Sequence, residues 1–92
     1  MTLYWLLITK FRAEIAGDIA ALVELFASAD PEPIRALAYR LKGTCDNAQA
    51  MPISNVAKLL QTAMAAGDLS QALALINALQ LERESLEQYL VD

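Results

Sequence analysis

Apolar residues recur at intervals of three and four along almost the whole chain, and this spacing is the strongest constraint on its fold. The interval matches one face of an α-helix, which has about 3.6 residues per turn. No stretch alternates apolar and polar residues for long enough to predict a strand. Ala and Leu supply most of the 57% hydrophobic content, and there are only three Gly and three Pro. The sequence therefore predicts an all-α fold of closely packed helices.

Proline, glycine and aspartate divide this pattern into four long segments. Asp30 suits the N-cap of the second helix, and Pro31 suits its first position. Gly67 indicates the end of the third helix, and Asp68, three residues before Gln71, has the spacing of a capping box. We expect helices at about 3 to 27, with a bend near residue 17, and at about 31 to 47, 52 to 66 and 69 to 90.

The apolar faces of these segments define the expected core. Because the connections are short, successive helices should lie side by side and antiparallel. We therefore expect one domain, residues 1–92, built as an up-down-up-down four-helix bundle with a short additional N-terminal helix packed at one end. The residues expected to face inward are Tyr4, Leu7, Phe11, Ile15, Ile19, Leu22 and Phe26 on the first helix; Ile34, Leu37, Ala38, Leu41, Cys45 and Ala48 on the second; Ile53, Val56, Ala57, Leu60 and Met64 on the third; and Leu69, Ala72, Leu73, Ile76, Leu79, Leu86 and Leu90 on the fourth.

Bulk properties exclude several classes of protein. The apolar run at residues 3–8 is too short for a membrane span, which needs about 20 residues. Lys10 follows this run, whereas the positive charge of a signal peptide precedes it. The net charge of −4 argues against nucleic-acid binding, and a single Cys fits a reducing compartment. We expect a cytoplasmic protein without nucleic-acid partners or direct membrane insertion.

The second helix carries a polar face opposite its apolar stripe. On a wheel of about 100° per residue, the stripe centres near Leu41, while Tyr39 and Gly43 lie on the opposite side. A glycine inside a helix costs about 1 kcal/mol relative to alanine. Gly43 is therefore either incidental to a solvated face or a sign that something large approaches the backbone there. The other polar residues on or beside this face are Arg35, Arg40, Lys42 and Asp46.

Residues 38–44, Ala-Tyr-Arg-Leu-Lys-Gly-Thr, resemble a motif of the histidine phosphotransfer (HPt) domains of two-component phosphorelays. The helix of that family carries Ala-His-x-Leu-Lys-Gly-Ser/Thr, followed by small residues and often Gly-Ala. The likeness extends to the preceding helix and to the helix and turn that follow, so it covers most of the chain. It implies a helical-bundle phosphorelay module with Tyr39 in the place of the phosphoacceptor histidine. Gln49 stands where Gly is common, which implies an altered end of this helix.

The resemblance also implies roles for neighbouring residues. Lys42 matches the lysine that offers positive charge to the phosphoryl group, and Gly43 matches the glycine that leaves room for a receiver domain. Gln61 stands where some members place a polar side chain against the imidazole. Nearby cations would form a basic patch complementary to the acidic, Mg²⁺-binding pocket that receiver domains present to the family. The expected partner-binding residues are Arg35, Tyr39, Arg40, Lys42, Gly43, Asp46 and Gln61, with Lys58 adding to the patch.

Tyrosine does not readily replace histidine in this chemistry. Neutral imidazole presents a free lone pair at cellular pH, and its N–P bond stays labile enough for the group to be returned. A phenol is almost entirely protonated there and needs a positioned base, but the chain has no histidine. Cys45 lies on the core stripe, and Thr44 lacks a base partner. We therefore expect no enzyme activity, no cofactor and no metal site, since the carboxylates are also scattered.

Three functions remain open. The first is an HPt-like module that binds a receiver domain of a response regulator, or a sensor histidine kinase, and modulates two-component signalling without carrying phosphate. The second is an active phosphorelay domain in which Tyr39 is a substitution for histidine. The third is a helical dimerisation or adaptor module, in which the exposed part of the run Tyr4-Trp5-Leu6-Leu7 drives homodimer formation or docks a partner helix.

Overall fold

A computed structural model describes the backbone of residues 2–91 and the side chains of residues 7–88. Four α-helices account for most of the described chain, and a short 3₁₀ turn, Leu69–Gln71, precedes the last one. The helices are α1 (Thr2–Phe26), α2 (Pro31–Asn47), α3 (Met51–Ala65) and α4 (Ala72–Val91). The all-α prediction is confirmed, and the four segments lie within a few residues of the positions that the periodicity predicts.

Within residues 2–91, the short separate helix predicted at the N-terminus is not confirmed. Helix α1 begins at Thr2 and continues as one element to Phe26. No proline interrupts this stretch, and the glycine at position 17 costs the helix only about 1 kcal/mol. The apolar run at residues 3–8 is therefore the first part of α1. The side chains of Tyr4 and Trp5 lie outside the described residues.

Capping side chains begin α2 and the turn before α4, as the sequence predicts. Asp30 Oδ1 accepts a hydrogen bond at 3.1 Å from the backbone N–H two residues further on. Asp68 Oδ1 accepts one at 3.2 Å from the Ser70 backbone N–H. The side-chain amide of Gln71 donates a hydrogen bond to Asp68 Oδ2 at 2.8 Å. In a standard capping box this side chain would instead bond to the backbone N–H of the cap residue.

Helices α2 and α3 end in the same motif, with different residues in its left-handed position. Gly67 has a φ of +74° and Gln49 a φ of +60°. In each turn this residue's N–H bonds the carbonyl three residues back, and the next N–H bonds the carbonyl five residues back, which is the Schellman arrangement. The predicted stop at Gly67 is confirmed. The turn at Gln49 has the same hydrogen bonds as the turn at Gly67, so the end of α2 is not altered in shape. Gln49 instead introduces backbone strain, because a residue with a side chain disfavours a positive φ.

The helices bury a continuous apolar core, to which most of the predicted inward residues contribute. The prediction of an inward position is wrong for Leu7, Ala48 and Leu73, because all three are exposed. Ala48 follows the end of α2, while Leu7 and Leu73 lie about 90° to 100° from the buried stripes of their helices. The side chains of Tyr4 and Leu90 lie outside the described range. The buried hydrophobic residues are Ile15, Ile19, Leu22, Ile34, Ala38, Leu41, Cys45, Ile53, Ala57, Leu60, Ala63, Met64, Ala72, Ile76 and Leu79.

Each helix packs against two others. Helix α2 contacts α1 and α3, and α4 contacts α3 and α1, so the four form a closed ring. Arg12 of α1 forms an ion pair with Glu87 of α4. The connections at 27–30 and 48–50 are short and favour antiparallel neighbours, although the up-down-up-down order itself stays a prediction. Within residues 2–91, no helix is both long enough and apolar enough to cross a bilayer.

Candidate functional site on α2

Tyr39 lies on the surface of α2 with 63% of its area exposed. Its sequence neighbours Ala38 and Leu41 are fully buried, so the ring stands away from the core as the helical wheel predicts. Gly43 is exposed one turn further along the same face. A Cβ atom at Gly43 would meet nothing within 4 Å, so no contact inside the domain requires glycine there. Helix α2 therefore presents an exposed aromatic ring beside bare backbone.

Lys42 is held by Asp46, and Asp46 is held in turn by α3. Lys42 Nζ lies 2.9 Å from Asp46 Oδ2, and this hydrogen bond is the main cause of a raised pKa for Lys42. Asp46 Oδ1 accepts a hydrogen bond from the hydroxyl of Ser54, which is buried near the start of α3. The Ser54 hydrogen bond, followed by the one from Lys42, lowers the pKa of Asp46. Asp46, held in turn by Ser54, thus fixes the position of the lysine ammonium.

Arg40 is tied to the neighbouring helix. Its guanidinium donates a hydrogen bond to Asp18 Oδ1 of α1 at 2.5 Å. Asp18 is only 6% exposed, whereas the Arg40 side chain is 69% exposed. Together with Glu14 and Thr44, these residues line a polar cleft of about 340 Å³ between α1 and α2. Because a buried carboxylate requires a compensating cation, Arg40 has a structural task besides any role in docking.

The basic patch expected around Tyr39 is largely neutralised within the domain. Arg35 forms an ion pair with Glu32, one turn earlier on α2, and the hydrogen bond between them raises the pKa of Arg35 and lowers that of Glu32. The two cations described above are paired as well. Among the described side chains, Lys58 of α3 has no carboxylate within 4 Å, but its charge contributes to the lowered pKa of Asp46. The four cations of this region therefore meet three carboxylates.

Gln61 and Cys45 differ in their access to this face. Gln61 is half-buried on α3. Cys45 is fully buried, and burial raises the pKa of its thiol to about 12, with the charges of Asp46 and Asp18 adding to the effect. A thiol that stays protonated at neutral pH is a poor nucleophile. The described part of the chain contains no group of three or more His, Cys, Asp or Glu side chains that could hold a metal ion.

Two polar residues of this region, Asp18 and Ser54, are missing from the set that the sequence indicates. Asp18 lies between Ile15 and Ile19, within the apolar stripe of α1, and Ser54 lies three residues before the buried Ala57 of α3. A polar residue inside an apolar stripe is the available signal, because buried polar groups require hydrogen-bond partners. The signal indicates burial but does not identify the partner on the adjacent helix.

Comparison with known proteins gives one match. A family model described as "Hpt domain" matches residues 6–89, which include all of α2 and α3 and most of α1 and α4. No curated protein and no solved structure matches the chain. The match covers far more than the motif around Tyr39, because it extends over the helices that form the core.

Proposed function

The chain belongs to the Hpt domain family, and from this premise we propose that it is a phosphotransfer-inactive member that docks a response-regulator receiver domain or a sensor histidine kinase. Hpt domains are modules of two-component phosphorelays, in which they interact with proteins of these two kinds. In the proposal, Tyr39 holds the position of the phosphoacceptor histidine and the surrounding face of α2 is the docking surface. The domain, residues 1–92, modulates two-component signalling in the cytoplasm.

One observation carries the proposed inactivity, namely that the 92-residue chain contains no histidine. Reversible phosphotransfer requires a nucleophile that accepts a phosphoryl group from an aspartyl phosphate and releases it again. The exposed phenol of Tyr39 has no imidazole nearby to remove its proton, and an aryl phosphate ester would return the group slowly. The domain would therefore act by binding and not as an enzyme.

Neighbouring nucleophiles offer no replacement in this proposal. The Cys45 thiol is buried, with a pKa raised to about 12. The Thr44 hydroxyl donates a hydrogen bond to the Arg40 carbonyl at 3.2 Å, which directs it back to its own helix. Among the described side chains, neither group donates a hydrogen bond to a carboxylate, the contact through which such a base would activate a hydroxyl or thiol nucleophile.

The shape of the face supports docking. Tyr39 offers a large amphipathic contact of the kind often found at the centre of protein interfaces. Gly43 leaves the adjacent backbone open to a close approach. The proposed interface consists of Arg35, Tyr39, Arg40, Lys42, Gly43 and Asp46 on α2 and Gln61 on α3.

Docking is tested by calorimetric titration of the domain with each receiver domain and sensor kinase from its own source. We expect at least one to bind, and the Tyr39→Ala variant to bind it at least about tenfold more weakly, as for a central interface residue. Leu81→Ala is the matched control, because Leu81 of α4 is also 63% exposed but lies on another helix. Failure to bind any of these proteins, or an equal loss from the two substitutions, would contradict the proposal.

Inactivity is tested with a receiver that carries a radiolabelled phosphoryl group. We expect no transfer to the wild-type domain, while Tyr39→His restores the imidazole on the same exposed face. Labelling of this variant alone would show that one side chain separates the domain from an active phosphorelay protein. Labelling of Tyr39 itself, followed by transfer to a second receiver, would exclude the proposed inactivity.

An assembly module is the second candidate, because Leu7 near the start of α1 is 59% exposed. Exposed apolar residues at one end of a bundle can pair two copies or accept a partner helix. Sedimentation of the wild-type, Trp5→Ala and Tyr39→Ala domains distinguishes the candidates. A dimer that only Trp5→Ala disrupts, together with unchanged receiver titrations for Tyr39→Ala, would favour assembly over receiver docking.

A further inference from the structure

All three cations of α2 that lie within about one turn of Tyr39 are already paired with carboxylates of the same domain. With Lys58 of α3, this face of the domain carries four cations, which alone would make it strongly basic. Because three of them are paired, a docking partner meets little net positive charge. Any anion brought against Tyr39 must compete with these internal partners. The pairs are Arg35 with Glu32, Arg40 with Asp18, and Lys42 with Asp46.

Building on the proposed docking function, we propose that this face selects the unphosphorylated form of its acidic partner, and that Asp46 is the residue that sets this preference. A phosphoryl group carries a charge of about −1.5 to −2 at neutral pH. A phosphoryl group placed against Tyr39 would lose its hydrating water, and no cation of α2 near Tyr39 is unpaired to replace that water. This desolvation cost opposes binding.

Asp46 is suited to this role because its position is fixed from two sides. Its Oδ2 lies 2.9 Å from Lys42 Nζ, and its Oδ1 accepts the hydroxyl hydrogen bond of the buried Ser54. A carboxylate held in this way is an internal competitor that needs little further ordering to pair with the lysine. A partner phosphoryl group has to displace it before it can use the ammonium of Lys42.

Removing the negative charge of Asp46 would leave two nearby lysines without a carboxylate partner. Lys42 is in direct contact, and Lys58 of α3 is near enough for its charge to lower the pKa of Asp46. In Asp46→Asn the amide oxygen can still accept the Ser54 hydrogen bond, so the local fold is kept while the negative charge is removed. Two ammonium groups would then stand uncompensated at one end of the face and could attract an anion.

The first experiment titrates the domain with its receiver in the presence of Mg²⁺, with and without beryllofluoride as the phosphoryl mimic. We expect the wild-type domain to bind the unmodified receiver at least as tightly as the beryllofluoride form. Asp46→Asn should tighten binding of the beryllofluoride form about threefold relative to the unmodified form, the scale of one exposed charge. This gain should disappear near 1 M salt, where charges are screened over about 3 Å.

Two further variants identify the source of the gain. Glu84→Gln changes the net charge by the same amount at an exposed position of α4, and we expect it to leave the ratio of the two affinities unchanged. Adding Lys42→Met to Asp46→Asn should abolish most of the gain. A wild-type domain that prefers the beryllofluoride form, or an equal effect of Asp46→Asn and Glu84→Gln, overturns the inference while leaving the docking proposal intact.

The second experiment does not depend on finding the receiver, so it separates the two proposals. Inorganic phosphate is titrated into the isotopically labelled domain, and the NMR shifts of the amide groups around Lys42 and Lys58 are followed. We expect weak, non-saturating shifts for the wild-type domain and a saturating, salt-sensitive response for Asp46→Asn. Equal responses of the two proteins would overturn the role of Asp46. If every receiver and kinase fails to bind, the docking function is rejected, and with it the selection of a receiver form.

Discussion

The carboxylate of Asp18 on α1 is paired with the guanidinium of Arg40 on α2, although Asp18 is only 6% exposed and the Arg40 side chain is 69% exposed. Asp18 lies in the interior, whereas Arg40 lies on the surface and follows Tyr39 directly in the sequence. Arg40 therefore stabilises the contact between α1 and α2 while its outer part remains accessible to a docking protein.

Removing Arg40 should destabilise the fold, because it leaves the Asp18 charge buried without a partner. We expect Arg40→Ala to lower the free energy of unfolding by about 1 to 2 kcal/mol, a figure reduced for the exposure of the guanidinium. Asp18→Asn in the same chain should restore part of the loss. Urea denaturation followed by circular dichroism measures both changes. Arg35→Ala serves as control, since the Arg35–Glu32 pair lies on the surface of one helix, and an equal loss there would contradict this account.

Gly43 and Gly17 should respond alike in stability and differently in docking. Both are exposed helical positions, and an added Cβ meets nothing within 4 Å at either one. Alanine at each should raise the free energy of unfolding by about 0.5 to 1 kcal/mol because it favours the helix. Thermal denaturation measures this effect. Leucine at position 43 should also block receiver binding, whereas leucine at position 17 should not, and equal binding by the two leucine variants would remove Gly43 from the interface.

The acid stability of the domain should depend on Asp46. Its pKa is lowered from the ordinary 3.8, first by the Ser54 hydroxyl and then by Lys42. A carboxyl group whose pKa is depressed by folding stabilises the fold above its ordinary pKa, and this contribution is lost as the pH falls through the folded value. The stability difference between wild type and Asp46→Asn, measured by urea denaturation, should therefore shrink as the pH falls below the ordinary value of 3.8.

The same pKa can be followed directly by NMR titration of the Asp46 carboxyl carbon. Ser54→Ala and Lys42→Met should each raise the pKa toward 3.8, because the hydroxyl and the ammonium both donate hydrogen bonds to the Asp46 carboxylate. An unchanged pKa in either variant would show that its side chain does not determine the ionisation of Asp46.

Cys45 should resist thiol reagents in the folded protein. It is fully buried, and its pKa is raised from 9.0 to about 12, so reaction with a disulfide reagent at pH 8 should require unfolding. Above pH 9 the unfolded thiol ionises while the folded one stays protonated, so stability should fall between about pH 9 and 12. Cys45→Ala isolates this contribution from the other groups that titrate in the same range. Rapid reaction of the native thiol would contradict its burial.

The two Schellman turns provide a reciprocal test of backbone strain. Gln49→Gly should raise the free energy of unfolding by about 0.5 to 1 kcal/mol, because glycine adopts a positive φ without steric cost. Gly67→Gln should lower it by a similar amount at the corresponding position of α3. Thermal denaturation of the two variants measures both signs, and changes of the same sign would show that strain at φ +60° and +74° does not control these turns.

The boundaries of α2 follow from the sequence because local chemistry determines them. Asp30 and Pro31 fix its start through the cap and the first position, and the observed bounds Pro31–Asn47 match the predicted 31–47. The exposure of Tyr39 also follows, because helical periodicity places it opposite Leu41. These features depend on residues within one or two turns of each other.

The charge pairing around Tyr39 does not follow from the sequence in the same way. Asp18 is 22 residues from Arg40, and their contact depends on how α1 and α2 are rotated and shifted against each other. Periodicity gives the face of each helix but not this register, so Arg40 is expected to belong to an open basic patch when in fact it is paired. The hydrogen bond between Ser54 and Asp46 crosses from α3 to α2 and is hidden for the same reason.

The left-handed glutamine at the end of α2 bears on how the domain could evolve. Most substitutions lower stability, and a small protein tolerates only a few before it unfolds. A change to glycine at position 49 lies outside the proposed interface and would relieve strain in an unchanged turn. It could offset the loss from a destabilising substitution among the residues around Tyr39, so the recognition surface could diverge toward new partners while the bundle stays folded.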